Sequence, residues 1–112
     1  MKTLESDILC VSNAYQRKYY LGPKFMGMPK QVRDDLQAAC VLFTAEVGGI
    51  FTLSFDDGEH LFIHTAAAEN DAAYDDISAG LKVKQFQEEN RDLLLPVQEY
   101  YTKVIKGKTG KA

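Results

Sequence analysis

The sequence predicts an α+β fold, and three stretches of its 112 residues carry the prediction. Two short apolar runs rich in β-forming residues flank a turn at 49–64. An amphipathic helical stripe runs from 29 to 47, and a long helical pattern extends from about residue 70 to 105. The expected architecture is a single domain over residues 1–105. In it a β-hairpin, with an N-terminal strand as an optional addition, packs against a central helix and a long, broken C-terminal helical segment. Residues 106–112, with nothing to bury, are expected to form a disordered basic tail.

Residues 1–21 carry two patterns. Leu4, Ile8, Val11, Tyr15 and Tyr19 recur at helical intervals, and Gly22-Pro23 would stop such a helix, so helix is the favoured reading. The alternative makes Ile8-Leu9-Cys10-Val11 and Lys18-Tyr19-Tyr20-Leu21 two strands with Asn13 in the turn, which would suit an otherwise marginal two-stranded sheet. Residues 22–28 read as a loop whose Phe25 and Met26 tuck onto the core.

The central helix is read from Val32, Leu36, Ala39, Cys40, Phe43 and Val47, with Pro29 at its first turn and Gly48 just past its end. Its second half adds Val41, Leu42 and Ala45, which predicts burial over a wider part of its circumference. In the hairpin, an Asp57-Gly58 loop would split the apolar residues between faces. A three-residue loop, Asp56-Asp57-Gly58 with Gly58 left-handed, pairs Phe55 with Glu59, Leu53 with Leu61 and Phe51 with Ile63. That puts Phe51, Leu53, Phe55, Leu61 and Ile63 on one face, and Thr52, Ser54, His60, Phe62 and His64 on the other.

Asn70 or Asp71 is the expected cap of the C-terminal segment. Tyr74, Ile77 and Leu81 form one stripe, and Val83, Phe86, Leu93 or Leu94, Val97, Tyr101 and Val104 another, about 200° away around the helix. The helix therefore breaks near Gly80 or has partners on both sides, and Pro96 should kink or restart it.

Composition excludes several functions. A chain that is 46% hydrophobic and 26% charged is ordinary for a soluble domain. It has no run of the ~20 apolar residues needed to span a bilayer and no uninterrupted apolar block at its start, so a cytoplasmic protein is expected. Taking Lys103, Lys106, Lys108 and Lys111 from a net charge of −3 leaves residues 1–102 at −7, which argues against nucleic-acid affinity. Cys10 and Cys40 read as reduced thiols, Cys40 on the core stripe.

Motifs for chemistry are weak. His60 and His64, four apart on a strand, would stand about 13 Å apart, too far for one ion, so no metal is expected. Neither cysteine lies in a Gly-rich or strained turn, and no catalytic residue is assigned. Gly48-Gly49 and Gly107-Lys108-Thr109-Gly110 lack the strand-then-helix setting of a phosphate loop. Five basic residues from Arg17 to Arg33, interleaved with Tyr19, Tyr20 and Phe25, have the composition of a nucleotide platform, and equally of a solvated rim.

Asn13-Ala14-Tyr15, Lys18-Tyr19-Tyr20, Cys40-Val41-Leu42-Phe43-Thr44, Glu46-Val47-Gly48-Gly49-Ile50, Ala67-Ala68-Glu69-Asn70-Asp71 and Tyr100-Tyr101 together carry a resemblance. The chain resembles an uncharacterised family of small clostridial proteins, defined only as a domain of unknown function, from about Ile8 to Ile105. The resemblance implies a single-domain bacterial cytoplasmic protein and transfers no activity, cofactor or site. The expected function is a non-enzymatic interaction module, a homodimer with an interface at Phe62, His60, His64, Tyr100 and Tyr101, open also to another protein partner. The alternative is a small-ligand or nucleotide-binding protein using Arg17, Lys18, Tyr19, Tyr20 and Lys24.

Overall fold

The computed structural model describes residues 7–56 and 59–107, and the order of elements sets the site. The strands are β1 (Asp7–Asn13), β2 (Lys18–Leu21), β3 (Ile50–Phe55) and β4 (Leu61–Ala66). The helices are α1 (Lys30–Val47), α2 (Asp76–Glu89) and α3 (Arg91–Tyr100), with a 3-10 turn at Pro23–Phe25 and a π-helical turn at Tyr101–Ile105. The strands form one antiparallel sheet in the order β2-β1-β3-β4, so the fold is α+β as expected. Most of the predicted basic tail, 108–112, lies outside the described residues.

Residues 8–21 form two strands joined by a turn at 14–17, which corrects the helical reading. Ile8 and Tyr15, on the supposed helical stripe, are exposed, while Leu9, Cys10 and Ser12 are buried. Tertiary pairing overrides the helical spacing because β1 gives β3 its second partner, through Ser12↔Phe51 and Cys10↔Leu53. The Asn13 carboxamide accepts from the Tyr15 and Gln16 N–H groups and turns the chain, with Arg17 left-handed at φ 55°. An irregularity in the register between Ile8 and Cys10 lets both Leu9 and Cys10 reach the core.

In the β3–β4 hairpin Phe55 pairs with Leu61, Leu53 with Ile63 and Phe51 with Thr65, two residues away from the expected register. A shift by two keeps every side chain on its expected face, because the strand period is two. The longer loop closes where the Asp56 N–H donates to the His60 carbonyl (3.0 Å) and the His60 N–H to the Asp56 carboxylate (2.9 Å). Glu59 is left-handed at φ 66°. Gly58, expected in that role, lies outside the described residues.

The core fills one side of the sheet. Phe51 stacks on Phe43 of α1 at 4.1 Å and meets Phe86 of α2 edge-on at 4.9 Å. Phe55 stacks on Tyr101 at 4.1 Å and on Phe25 at 6.0 Å. The Tyr101 hydroxyl donates to Asp7 (2.8 Å), tying the C-terminal segment to the start of β1. The Lys24 ammonium on Asp7 (2.8 Å), with help from Tyr101, holds that carboxyl below its ordinary pKa.

The C-terminal segment breaks at neither Gly80 nor Pro96. Gly80 lies inside α2, and the chain breaks at Asn90. There the Asn90 N–H and carboxamide both donate to the Phe86 carbonyl, while its own carbonyl accepts from Leu93 and Leu94. Pro96 sits on the exposed side of α3, which runs through it. Asp75 caps α2 in place of Asn70 or Asp71, accepting from Ile77 N–H. The stripe of Ile77 and Leu81 faces outward, 78% and 66% exposed, and Leu42 of α1 is likewise exposed, so the wider burial expected of α1 does not occur. No helix among the described residues is long and apolar enough to cross a membrane.

Candidate functional site

Two surfaces concentrate the sequence-predicted residues. The first is the side of the sheet away from the helices. Strand alternation turns Val11, Tyr20, Thr52, Phe62 and His64 to this side, along the pairs Val11↔Tyr20, Val11↔Thr52 and Thr52↔His64. Phe62 is 53% exposed and sits opposite Ser54. His60, at the foot of β4, is exposed, with its Nδ1 3.5 Å from Asp56. The other two expected interface residues lie elsewhere. Tyr100 is half-buried on the helix side, its hydroxyl closing on Gly27, and Tyr101 is a core residue, 1% exposed. The structure thus gathers Phe62 and His64 and sets Tyr100 and Tyr101 across the sheet from them.

The second surface is a groove of about 640 Å³ between the β1–β2 hairpin and α1. Ser12 and Thr44 form its floor, Tyr19 and Val41 its walls, and Arg17, Lys18 and Gln37 reach its rim. The two buried hydroxyls meet at 2.8 Å, and Thr44 also reaches the Val41 carbonyl at 3.1 Å. When Thr44 donates to the Val41 carbonyl, Ser12 donates to Thr44 and keeps its own oxygen as an acceptor. Arg17 and Lys18 have no acidic partner among the described residues. Of the expected ligand residues, Tyr20 lies on the far side of the sheet and Lys24 is bound to Asp7, so neither lines the groove. Ser12, Thr44 and Gln37 were missed, because only the docking of β1 on α1 makes them neighbours.

Beneath the groove Cys10 and Cys40 touch, Sγ to Sγ 3.6 Å, both fully buried. The hydrogen-bonded Cys10 thiol and burial push the Cys40 thiol well above its ordinary range. Burial and the same two sulfurs raise the Tyr19 hydroxyl, which is buried without a hydrogen-bond partner among the described residues. A nucleophilic cysteine needs an accessible thiolate, and this environment disfavours one. No group of three or more His, Cys, Asp or Glu with metal-binding geometry occurs among the described residues.

These features define a small α+β protein whose helices cover one side of a four-stranded antiparallel sheet. The chain belongs to the family of unknown function DUF6145, which matches residues 6–109, in agreement with the resemblance read from the sequence. Neither the curated proteins nor the solved structures include a match to it.

Proposed function

We propose that the chain is a non-enzymatic interaction module that pairs with a second copy of itself through the open side of its sheet, in a bacterial cytoplasm. The observation that carries this is Phe62. It is a large aromatic on a sheet face that the chain's own helices leave bare, with Tyr20 and Ile8 also exposed there. Covering such a ring recovers roughly 25 cal/mol for each Å² of apolar surface removed from water. The sealed thiols favour a binding role over covalent catalysis.

The expected result for Phe62→Asp is a shift from two chains to one in solution molar mass, with little change in melting temperature because the side chain is already exposed. An unchanged mass would refute this face as the interface.

A second reading is favoured by one observation: Arg17 and Lys18, which have no acidic partner among the described residues, reach the rim of the groove above the buried Ser12–Thr44 floor. The groove would take a small anionic ligand, a nucleotide or phosphorylated metabolite, and its volume is within the usual range for such sites. The acidic body opposes this, so the binding would rest on Arg17 and Lys18 locally. A ligand at one hundred times its Kd stabilises by about 2.7 kcal/mol, several degrees in a thermal-shift screen. Arg17→Glu should abolish the shift, and a flat screen would dismiss the groove.

A further inference from the structure

The two edges of the sheet are unequally guarded. β2 is four residues long and carries Lys18, two common devices against an added strand. β4 is six residues long, Leu-Phe-Ile-His-Thr-Ala, with no lysine, proline or carboxylate. Its open direction follows from two hydrogen bonds. Asp56 N–H donates to His60 C=O at 3.0 Å, and Ala14 N–H to Gly49 C=O at 2.9 Å. Antiparallel ladders alternate, so the first bond turns the backbones of Phe62 and His64 toward β3, and the second independently fixes the same alternation along β3. The N–H and C=O groups of Leu61, Ile63 and Thr65 therefore point out of the open edge. Among the described residues no hydrogen bond outside the strand ladders uses them.

The geometry points to a two-fold strand pairing, in which β4 lies antiparallel to β4 of a second copy with Ile63 opposite Ile63 and Leu61 opposite Thr65. This rests on the self-pairing reading above but moves the contact from the open face to its β4 edge, where Phe62 takes part while Tyr20 and Ile8 stay outside. Only registers that bring outward-pointing residues together satisfy both edges. The one centred on Ile63 uses all three residues, each pair exchanging both of its N–H···O=C bonds. Centring on Phe62 or His64 uses only two, and opposes phenyl to phenyl or imidazole to imidazole.

In the Ile63 register, Phe62 faces His64 of the second copy in the non-hydrogen-bonded positions, where side chains come closest. Each copy has a net charge of −3, yet the paired strands bring no carboxylates together. Both sheets then continue into one. A strand edge with Phe62 is small beside a standard interface of about 1,600 Å², so the pairing depends on concentration.

The test is molar mass by light scattering over a range of concentrations, for the wild type and for Thr65→Pro. Proline at residue 65 removes an outward N–H and leaves the ladder with β3 intact. The wild type is expected to approach two chains, and Thr65→Pro to stay at one with its circular dichroism and melting temperature near those of the wild type. Its dissociation constant should rise at least about tenfold, because an outward N–H is lost at two symmetric places. The double variant F62C/H64C, treated with oxidised glutathione, should give a covalent dimer, since the native cysteines are buried. A folded Thr65→Pro that dimerises as tightly as the wild type, or a dimeric double variant that does not cross-link, overturns the register and leaves self-pairing standing. If Thr65→Pro does not fold, the cross-link alone decides. A wild type of one chain at every concentration defeats the self-pairing reading and the register together.

Discussion

Phe51→Ala is expected to cost about 3–5 kcal/mol. Phe51 is fully buried, stacked on Phe43 and edge-on to Phe86, so its ring joins β3 to both α1 and α2. Alanine leaves a cavity between three elements that cannot all move in to fill it. A domain of this size has only about 5–15 kcal/mol of stability, and each kcal/mol is worth roughly 4 °C, so melting should fall on the order of 15 °C. Phe62→Ala, on the neighbouring strand but on the bare face, should change monomer stability by less than about 0.5 kcal/mol. Urea denaturation of both variants measures the contrast. A cost below about 1 kcal/mol at Phe51 would mean that the two faces have been exchanged.

The second large effect is at Gly22. Its backbone, φ −61° and ψ 138°, suits any residue, so torsion does not demand glycine there. Space does: a Cβ would lie 2.1 Å from the Ile8 carbonyl oxygen, while Gly22 N–H donates to Leu9 C=O at 2.8 Å. Gly22→Ala must push the end of β2 away from β1 where Leu9 and Cys10 enter the core. The contact is with backbone, which no rotamer change relieves, so about 3 kcal/mol is expected, the upper end for overpacking. The same substitution at Gly80 should stabilise by about 0.5–1 kcal/mol, because nothing lies within 4 Å of the new methyl and α2 is continuous there. Equal effects at the two glycines would contradict both placements.

Much of the fold was legible where a local pattern had one physical meaning. The stripe from Val32 to Val47 with Pro29 and Gly48 at its ends could only be an amphipathic helix, and α1 spans Lys30–Val47. The alternation in β3 and β4 fixed which residues face the core even though the loop is longer than expected, since faces survive an even shift. At residues 8–21 the same letters fit a period of 3.6 and a pair of strands, and only the demand of β3 for a second partner separated them. The break at Asn90 was hidden because it depends on an asparagine carboxamide folding back to the Phe86 carbonyl, whereas Gly80 and Pro96 are the louder local signals.

The candidate sites divide the same way. Phe62 and His64 could be placed together from strand parity alone. Tyr100 and Tyr101 could not be placed, because a helix of unknown docking gives no side of the sheet. Arg17, Lys18 and Tyr19 were visible as a basic, aromatic run, but the Ser12–Thr44 floor joins residues 32 positions apart. By itself, then, the sequence determined the helix α1, the two-faced character of β3 and β4, the acidic body and the family. Tertiary structure alone decided the strand state of β1 and β2, the touching thiols, the groove and the open edge of β4. The physical reason is range: periodicity and capping act within a few residues, whereas sheet order and helix docking are set by contacts far apart in the chain.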